Sequence, residues 1–542
     1  VSSAASDVYK RQDDSSKETF TLGKLDISGG ELNIGDIQTG SPTSNKTIRV
    51  TKKLNADGEG TVRIDTSAGF INAVPTTESE LETLPLMEQD DGLQKTSMML
   101  VNAKGAEIIG SGGGLSLVDQ NGKVLSNALS SKVIQNGLHV ANAGYDWKLT
   151  TSGSEEEASG LYLNYGLTQV ELLGQGDSAL ILYATPGLPE NSLTNDLSAK
   201  VVGSGDLEIS AVGETVSLSN PENTYTGGTF VTSDSTLKLG ADSALGATKE
   251  VNLAERAILN LNDHSQEIGK LTVATDAQVD MADSSQLTVK EGGTVSAGGL
   301  KGSGNLIVQG GTLEISGANA DFHASTSIKP NAAVEINSVL GLGDNEVQDN
   351  GTLTLKNIEK PSDGGNPLHY ETYLTYDEFA NTLIGSGKLN AENSSFALTG
   401  KNSDFNGTIE VGADSDIAVF KNSALGEAKI ENNGKLDLLF DEEYSYIDNF
   451  LSGNGTTVVH GYATVSNNSV QNNSYTGDWL VLGKLSSDKG AHTSQELWGS
   501  GKTELNWGNI EVFVSDDGFT YDNSLTGHGA LWIYSCLLYT SP

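Results

Sequence analysis

The stretch that decides the fold runs from Asn223 to Leu261 and reads NTYTGGTFVTSDSTLKLGADSALGATKEVNLAERAILNL. Short segments of alternating apolar and polar residues, such as Leu237-Lys238-Leu239, recur in it between glycine-containing turns. Alternation sends the apolar side chains of a strand to one face and the polar side chains to the other. Strands this short cannot bury a core as isolated hairpins, so each must pair with strands from other parts of the chain.

Three sequence elements recur along the chain at near-constant distances. Copies of a Gly-x-Gly element begin at Gly203, Gly302, Gly385, Gly453, Gly499 and Gly527. An aromatic residue follows the second glycine of four copies by 18 or 20 residues; these aromatics are Tyr225, Phe322, Phe405 and Tyr475. In two copies the leucine of a Ser-Ala-Leu-Gly element follows the aromatic by another 20 residues. The chain therefore repeats in steps of about 20 residues, and a fixed period of this size is typical of solenoids.

The repeat predicts an all-β fold, a right-handed parallel β-helix that forms a single elongated repeat array. Stacking one coil on the next gives each apolar residue a like partner about 4.8 Å above and below it. Corners with positive φ need glycine or asparagine. We expect such corners at the Gly-x-Gly elements, at Asn350-Gly351 and at Asn433-Gly434.

Composition limits the classes of partner. The 542 residues include 71 acidic and 32 basic side chains, which gives a formal net charge of −39. This charge repels nucleic acid phosphates and anionic lipid surfaces, so no nucleic acid partner is expected. The one cysteine, Cys536, leaves no disulfide framework and no cysteine-based metal site.

Both ends of the chain look foreign to the rest of it. Residues 1–12 (VSSAASDVYKRQ) and 535–542 (SCLLYTSP) resemble translated sequencing-adapter read-through, and we exclude them from fold reasoning. Cys536 is then an artefact as well. Between these ends we predict an irregular N-terminal β-helix region at 13–200 and a β-helix with the repeats at 201–534.

The repeat resembles a known family. Asn223–Leu261 is similar to the passenger-associated repeat of autotransporters, the type V secreted proteins, and Asp404–Leu438 is a looser copy. Tyr145–Leu149 together with Gly160–Leu167 resembles a segment of the adhesin-like (AIDA-type) group. The resemblance implies a passenger that crosses the outer membrane through its own C-terminal β-barrel, folds outside the cell and remains anchored at the outer membrane. Because this sequence contains neither a signal peptide nor barrel strands, we expect it to be a fragment.

These observations favour a rigid stalk or adhesin of the cell surface that acts in cell adhesion or autoaggregation. Its expected partners are a host-cell or bacterial surface ligand, protein or glycan, or a second copy of itself. The alternative is a β-helical carbohydrate-active enzyme, or the passenger of an enzymatic autotransporter whose catalytic part is missing. No catalytic, cofactor or metal residue is assigned, and we expect no enzymatic activity in this fragment.

Two segments interrupt the repeat and are predicted to be excursions from the solenoid. Thr76–Gln94 is acidic, and Pro361–Asn381 is rich in aromatic residues. Loops carry binding function more often than coils do. The second excursion is therefore the candidate contact loop, through Tyr370, Tyr373, Tyr376 and Phe379. The alternative is that this loop folds down over the side of the solenoid.

Other chemistry-bearing residues favour structural interpretations. Gly176-Asp177-Ser178-Ala179 lacks the last glycine of a serine-protease nucleophile turn, and His139 is the only histidine upstream of it; a coil corner is expected there. We expect His460, His492 and His528 to face solvent. Tryptophans 498, 507 and 532 are predicted to fill the core, with stacking on sugars as the alternative.

Overall fold

The structure is a computed structural model that describes residues 18–34, 46–65, 86, 98–110, 112–151, 159–187, 195–359, 376–440, 445–466, 474–487, 491–514 and 518–535. These residues are almost all strand or turn, and they form a parallel β-solenoid of about 15 turns. The predicted all-β parallel β-helix is confirmed. The chain divides into two compact units, Val1–Phe230 with Ser235–Thr248, and Val231–Asp234 with Lys249–Pro542.

The strands are short and follow one another closely along the chain. The first seventeen are β1 (Glu18–Asp26), β2 (Glu31–Ile34), β3 (Lys46–Asn55), β4 (Thr61–Ile64), β5 (Met98–Asn102), β6 (Glu107–Ile109), β7 (Ser116–Asp119), β8 (Leu129–Gln135), β9 (Leu138–Thr150), β10 (Gly160–Leu172), β11 (Leu180–Tyr183), β12 (Asp196–Leu197), β13 (Lys200–Gly203), β14 (Leu207–Ser210), β15 (Thr215–Leu218), β16 (Thr229–Val231) and β17 (Thr236–Leu239).

Thirty further strands and one short α-helix are described in the rest of the chain, besides a single 3₁₀ turn at Asn422–Ala424. They are β18 (Glu250–Leu253), β19 (Ile258–Asn260), β20 (Ser265–Ile268), β21 (Lys270–Val273), β22 (Gln278–Met281), β23 (Gln286–Val289), β24 (Gly293–Val295), β25 (Leu300–Gly302), β26 (Asn305–Val308), β27 (Gly311–Ile315), β28 (Ser325–Ile328), β29 (Ala332–Ile336), β30 (Val347–Asp349), β31 (Thr352–Lys356), β32 (Glu378–Phe379), β33 (Leu383–Ile384), β34 (Lys388–Glu392), β35 (Ser395–Leu398), β36 (Thr408–Val411), β37 (Asp416–Val419), β38 (Lys429–Asn432), β39 (Lys435–Leu438), β40 (Tyr446–Ile447), β41 (Leu451–Ser452), β42 (Thr456–Val459), β43 (Tyr462–Val465), β44 (Asp478–Val481), β45 (Lys484–Ser487), α1 (Ser494–Trp498), β46 (Thr503–Val514) and β47 (Leu525–Ser535).

The first unit combines parallel coils with an antiparallel segment. Strands β2, β4 and β7 stack in parallel, as do β12, β15 and β17. Strands β8, β9 and β10 instead pair antiparallel in sequence order. The two segments that resemble adhesin-like autotransporters are partners in this pairing, where Trp147 lies opposite Tyr165 with the rings 5.4 Å apart, edge to face.

The second unit consists of parallel ladders. One ladder runs β18-β21-β24-β27-β29-β31-β34-β36-β38-β41, and a second runs β20-β23-β26-β28-β30-β33. A third contains β32-β35-β37-β39-β42-β44, and β46 joins it to β45-β43-β40 and to β47. Side chains at matching positions stack in columns. In the first ladder, Leu313, Val334, Leu353 and Leu389 lie side by side and are fully buried. Because each buried aliphatic side chain contributes about 1.5–3 kcal/mol, these columns are the main source of stability.

The period of the sequence is the length of one coil. Phe322 forms a backbone bridge with Gly302, and Phe405 forms one with Gly385. The aromatic element therefore lies directly on the Gly-x-Gly element of the preceding coil, and its ring enters the core, where all four repeat aromatics are buried. The spacing of 18 or 20 residues is thus explained by one circuit of the solenoid.

Glycine is required at the corners for two different reasons. The first glycine of Gly-x-Gly has positive φ, for example 102° at Gly385. At Asn433-Gly434 and Asn350-Gly351 the expected positive φ is not found. There a Cβ on Gly434 would lie 2.1 Å from the carbonyl oxygen of Gly412, and one on Gly351 would lie 2.3 Å from that of Ala332. The close approach of successive coils, and not the dihedral angle, explains these two glycines.

Buried asparagines complete the hydrogen bonding at another corner. The side chain of Asn402 accepts from Leu383 N at 2.8 Å and donates to Ala424 O at 2.7 Å, and so connects three coils. Asn223 and Asn319 make the same pair of contacts in their own coils. An unpaired buried backbone group costs about 1–3 kcal/mol. The asparagine amide removes two such costs at each of these corners.

One buried carboxyl group lies in the second ladder. Asp349, at the end of β30, is fully buried. Its Oδ1 accepts from Gly351 N at 3.0 Å, and among the described residues its Oδ2 has no hydrogen-bond partner. Burial raises the pKa of Asp349 to about 7, although the Gly351 hydrogen bond acts in the opposite direction.

We predict that Gly407→Ala destabilises the solenoid by about 3 kcal/mol, because the new Cβ would lie 2.0 Å from the carbonyl oxygen of Gly387 in the coil below. Gly298→Ala is the matched control. Gly298 has φ +69° but open space around its Cβ position, so it should lose only the 1–2 kcal/mol cost, roughly, of a left-handed alanine. Thermal unfolding followed by circular dichroism measures the stability of both variants. Equal losses of stability would show that contact with the coil below does not restrict position 407 to glycine.

Asp349→Asn should stabilise the protein at pH 8 by up to about 4 kcal/mol and change little at pH 4. Since its pKa is raised on folding, the folded state binds more protons than the unfolded state between about pH 4 and pH 7, so stability falls as pH rises through that window. Unfolding midpoints at both pH values test this, with the exposed Asp404→Asn as control. A gain that is the same at pH 4 and pH 8 would contradict the titration.

Candidate functional site

The structure describes two of the four residues of the candidate contact loop, Tyr376 and Phe379. Tyr370 and Tyr373 lie outside the described residues, as does Thr76–Gln94 apart from Leu86. Phe379 in β32 is fully buried and packs edge to face on Phe396, with ring centroids 6.4 Å apart. Its ring therefore belongs to the core and is not available to a partner. Tyr376 is half-buried and reaches a group of charged side chains on the solenoid.

We call this group the polar cluster: Tyr376, Asp416, Lys435, Asp437 and His460. The Tyr376 hydroxyl donates to Oδ2 of Asp437 at 2.9 Å and to Oδ2 of Asp416 at 3.2 Å. Lys435 Nζ donates to the same two carboxylates, and His460 Nε2 lies 3.0 Å from Asp437 Oδ1. The parallel register of β37 and β39 places Asp416 beside Lys435, so one coil period brings the charges together.

Burial and charge shift the pKa values of three groups in the polar cluster. Burial alone would raise the pKa of Asp437, but hydrogen bonds from His460 and Lys435, and the charge of Lys435, hold it well below its usual range. Burial opposes the charged form of Lys435, yet the two aspartates raise its pKa. Burial, followed by the two carboxylate charges, also raises the pKa of Tyr376. A general acid or base works best with a pKa near the working pH, so these three groups are suited to fixed contacts.

A polar cavity of about 550 Å³ opens beside the cluster. It is lined by Asn357, Ile358, Glu359, Asn393, Ser394, Ser395, Asp414, Ser415, Asp416 and Lys435. Asn393 donates to Asn357 at 2.9 Å, and Ser394 and Ser415 donate to backbone carbonyls. Glu359 and Asp414 are exposed at the rim. The cavity therefore offers carboxylates at its mouth and one ammonium group, which suits a polar ligand.

The structure corrects one histidine prediction and agrees with two. His492 and His528 are exposed, as expected. His460 is not: its side chain is only 9% exposed, because it pairs with the buried Asp437. Its partner is 23 residues earlier in the sequence, about one coil away, so the period of the repeat was the one signal that could have revealed the pair.

The serine-protease-like segment is a local turn. Gly176–Ser178 forms a single turn of 3₁₀ helix, and the Ser178 hydroxyl donates to Gln175 O at 3.0 Å. His139 Nε2 pairs with Asn142 Oδ1 at 2.8 Å. Both groups are engaged within their own segments, in agreement with the expected coil corner.

The three late tryptophans divide between core and surface. Trp498 in α1 is fully buried, and its carbonyl oxygen accepts from Trp479 Nε1 at 2.8 Å. Trp507 is 81% exposed and Trp532 is 53% exposed. The core prediction is therefore correct for Trp498 and wrong for the other two. Trp507 and Trp532 belong to β46 and β47, and their side chains face solvent.

Within the described ranges, no three His, Cys, Asp or Glu side chains are grouped so that they could hold a metal ion. Nor does any helix in that part of the chain have the length and apolar character needed to cross a membrane.

Comparison with known proteins finds two relatives in Escherichia coli (strain K12). The chain is 35% identical to the uncharacterized lipoprotein YdeK over 435 residues, which is 80% of this chain and 30% of that protein. It is 38% identical to the uncharacterized protein YuaQ over 337 residues, 62% of this chain and 24% of that protein. The chain thus spans less than a third of either relative. No protein-family model and no solved structure matches it.

Lys435→Met should destabilise the second unit by about 2–3 kcal/mol at pH 7, because it leaves the buried carboxylates without their cation. The pKa of Asp437 is lowered on folding, so its contribution is present above about pH 4 and is lost as pH falls. The loss caused by Lys435→Met should therefore shrink in acid. Thermal unfolding at pH 7 and pH 3 measures it, with the exposed Lys421→Met as control. A loss unchanged at pH 3 would contradict the pairing.

Proposed function

We propose that this chain is part of a cell-surface β-helical stalk or adhesin, exported as an autotransporter passenger, that acts in cell adhesion or autoaggregation. The observation that carries the proposal is the parallel solenoid. Its ladders bury a continuous apolar core without needing disulfides, and such solenoids present long surfaces to partners. The repeat Asn223–Leu261, which resembles the autotransporter passenger repeat, lies within it.

A cell-envelope location is supported by the relative that is named a lipoprotein. The finer proposal is that the protein lies on the outer face of the outer membrane and is held there through a C-terminal barrel. It rests on the resemblance of the repeat Asn223–Leu261 to the autotransporter passenger repeat. A net charge of −39 fits a surface that must stay soluble outside the cell. Charge of this sign also favours uncharged or cationic partners over nucleic acid.

We propose binding, not catalysis, as the activity of this part of the protein. In the polar cluster, Asp437 and Lys435 hold fixed opposite charges and Tyr376 is held protonated. These groups secure the end of the candidate contact loop to the solenoid, since Tyr376 bridges two carboxylates on neighbouring strands. A loop fixed at its base loses less conformational freedom on binding.

The proposal is tested by deleting the gene from the bacterium that carries it and restoring it on a plasmid. We expect the deletion to reduce attachment to epithelial cells or the settling rate of standing cultures, and the wild-type gene to restore it. Proteinase K added to intact cells should remove the protein, since it lies outside. Unchanged attachment and unchanged settling would refute the adhesin function.

Two variants test whether adhesion needs the correctly stacked solenoid or only the presence of the protein. Gly407→Ala, which clashes with the coil below, should fail to restore adhesion. Gly298→Ala, which has open space, should restore it. Restoration by both variants at equal surface levels would mean that the intact coil at Gly407 is not needed for adhesion.

A further inference from the structure

Exposed aromatic rings are concentrated on one part of the second unit. Among the described residues, seven aromatic side chains are exposed, and five of them lie between residues 446 and 534. These five are Tyr446, Tyr462, Trp507, Trp532 and Tyr534, and we call them the aromatic face. Large exposed apolar groups that cluster in this way mark binding surfaces.

The parallel register shows how these rings are arranged. Tyr446, Thr464, Ser486, Glu511 and Trp532 occupy matching positions on neighbouring strands and form one column. Tyr462 begins the adjacent column, two residues earlier, which continues through Lys484 and Asn509. Tyr534 stands two residues after Trp532 and stacks on Phe513, with ring centroids 5.0 Å apart. Since side chains two residues apart share a face of a strand, the columns form one outer surface.

Trp507 stands at the corner where β46 changes its partner from β44 to β45. Its φ of 62° lies in the left-handed region that favours glycine, and its ring meets that of His528 edge to face at 6.2 Å. A bulky residue in this conformation is unusual, and strained backbone of this kind clusters at functional sites such as active sites, ligand clamps and switch regions. The pairing of β46 with β47 shifts register between Asn506 and Asn509, and at this bulge the Trp507 side chain points into solvent.

The exposure of this surface does not come from the last strand alone. Leu531 and Ile533 pair with the core residues Ile510 and Val512, so they point inward and are exposed because no described coil lies beyond β47. Trp532 and Tyr534 alternate with them and point outward. Tyr446, Tyr462 and Trp507 belong to earlier coils and are exposed independently of that strand.

Polar groups between the rings limit the kind of partner. Lys484 Nζ lies 3.0 Å from Glu511 and 5.7 Å from the centre of the Tyr462 ring. This ion pair cancels one positive and one negative charge between the rings, within a chain of net charge −39. Nucleic acid and anionic lipid also bind aromatic surfaces, but their phosphates would be repelled by this total charge. An uncharged ligand that offers both apolar ring faces and hydroxyl groups meets no such repulsion.

We propose that the aromatic face binds an uncharged glycan, whose sugar rings stack on Trp507 and Trp532 while its hydroxyl groups bond to the polar side chains between them. The inference deepens the proposed adhesin function by naming a ligand class. Trp and Tyr combine a broad apolar ring with a polar group, and binding energy at such surfaces concentrates in a few aromatic residues.

Affinity electrophoresis of the purified 542-residue chain tests this, in native gels containing mannan, dextran or xylan, with alginate as the anionic comparison. We expect retardation by at least one uncharged polysaccharide. Trp507→Ala and Trp532→Ala should each weaken it by about tenfold. Tyr183→Ala, which removes an exposed aromatic ring from the first unit, should leave it unchanged.

No retardation by any uncharged polysaccharide would overturn the proposal, as would equal retardation of the two tryptophan variants and the wild type. Retardation by alginate alone would overturn the argument from charge. Self-association lost in the tryptophan variants, without retardation, would assign the face to a second copy of the chain instead. Because the gel uses purified protein and the adhesion assay uses whole cells, either hypothesis can fail without the other.

Discussion

The close parallel stacking of coils is the constraint on which the structure depends. Successive strands lie about 4.8 Å apart, and at the corners this spacing leaves no room for a side chain. A Cβ on Gly227, Gly407 or Gly477 would lie 2.0 Å or less from a carbonyl oxygen of the coil below. Glycine at these points lets the strands on either side stay in register, and the register in turn stacks Leu, Ile and Val into continuous columns.

The same stacking decides how polar groups are buried. A corner breaks the backbone ladder, and groups left without partners there would be costly. Asn223, Asn319 and Asn402 replace the missing partners, each with one contact to the coil before and one to the coil after. Asp349 is less completely paired: among the described residues only Gly351 N donates to its carboxyl group, and burial raises its pKa.

Register also creates the polar cluster and the aromatic face of the second unit. It places Asp416 beside Lys435, 19 residues later in the sequence. Tyr376 and His460 reach Asp437 from 61 and 23 residues away. Register aligns Tyr446 and Trp532 in one column, although 86 residues separate them in the sequence. The first region has its charges fixed by mutual pairing, whereas the second exposes its rings. The two are therefore suited to different tasks, one to anchoring a loop and one to contact with a partner.

The sequence by itself determined the all-β parallel solenoid and its period, because these follow from local alternation and constant spacing. It did not reveal the antiparallel pairing of β8, β9 and β10, the burial of Phe379 and His460, or the exposure of Trp507 and Trp532. Each of these depends on which residue lies one coil away and on which face a strand turns outward. Contacts of that kind are set by register and corner geometry, and only the tertiary structure decides them.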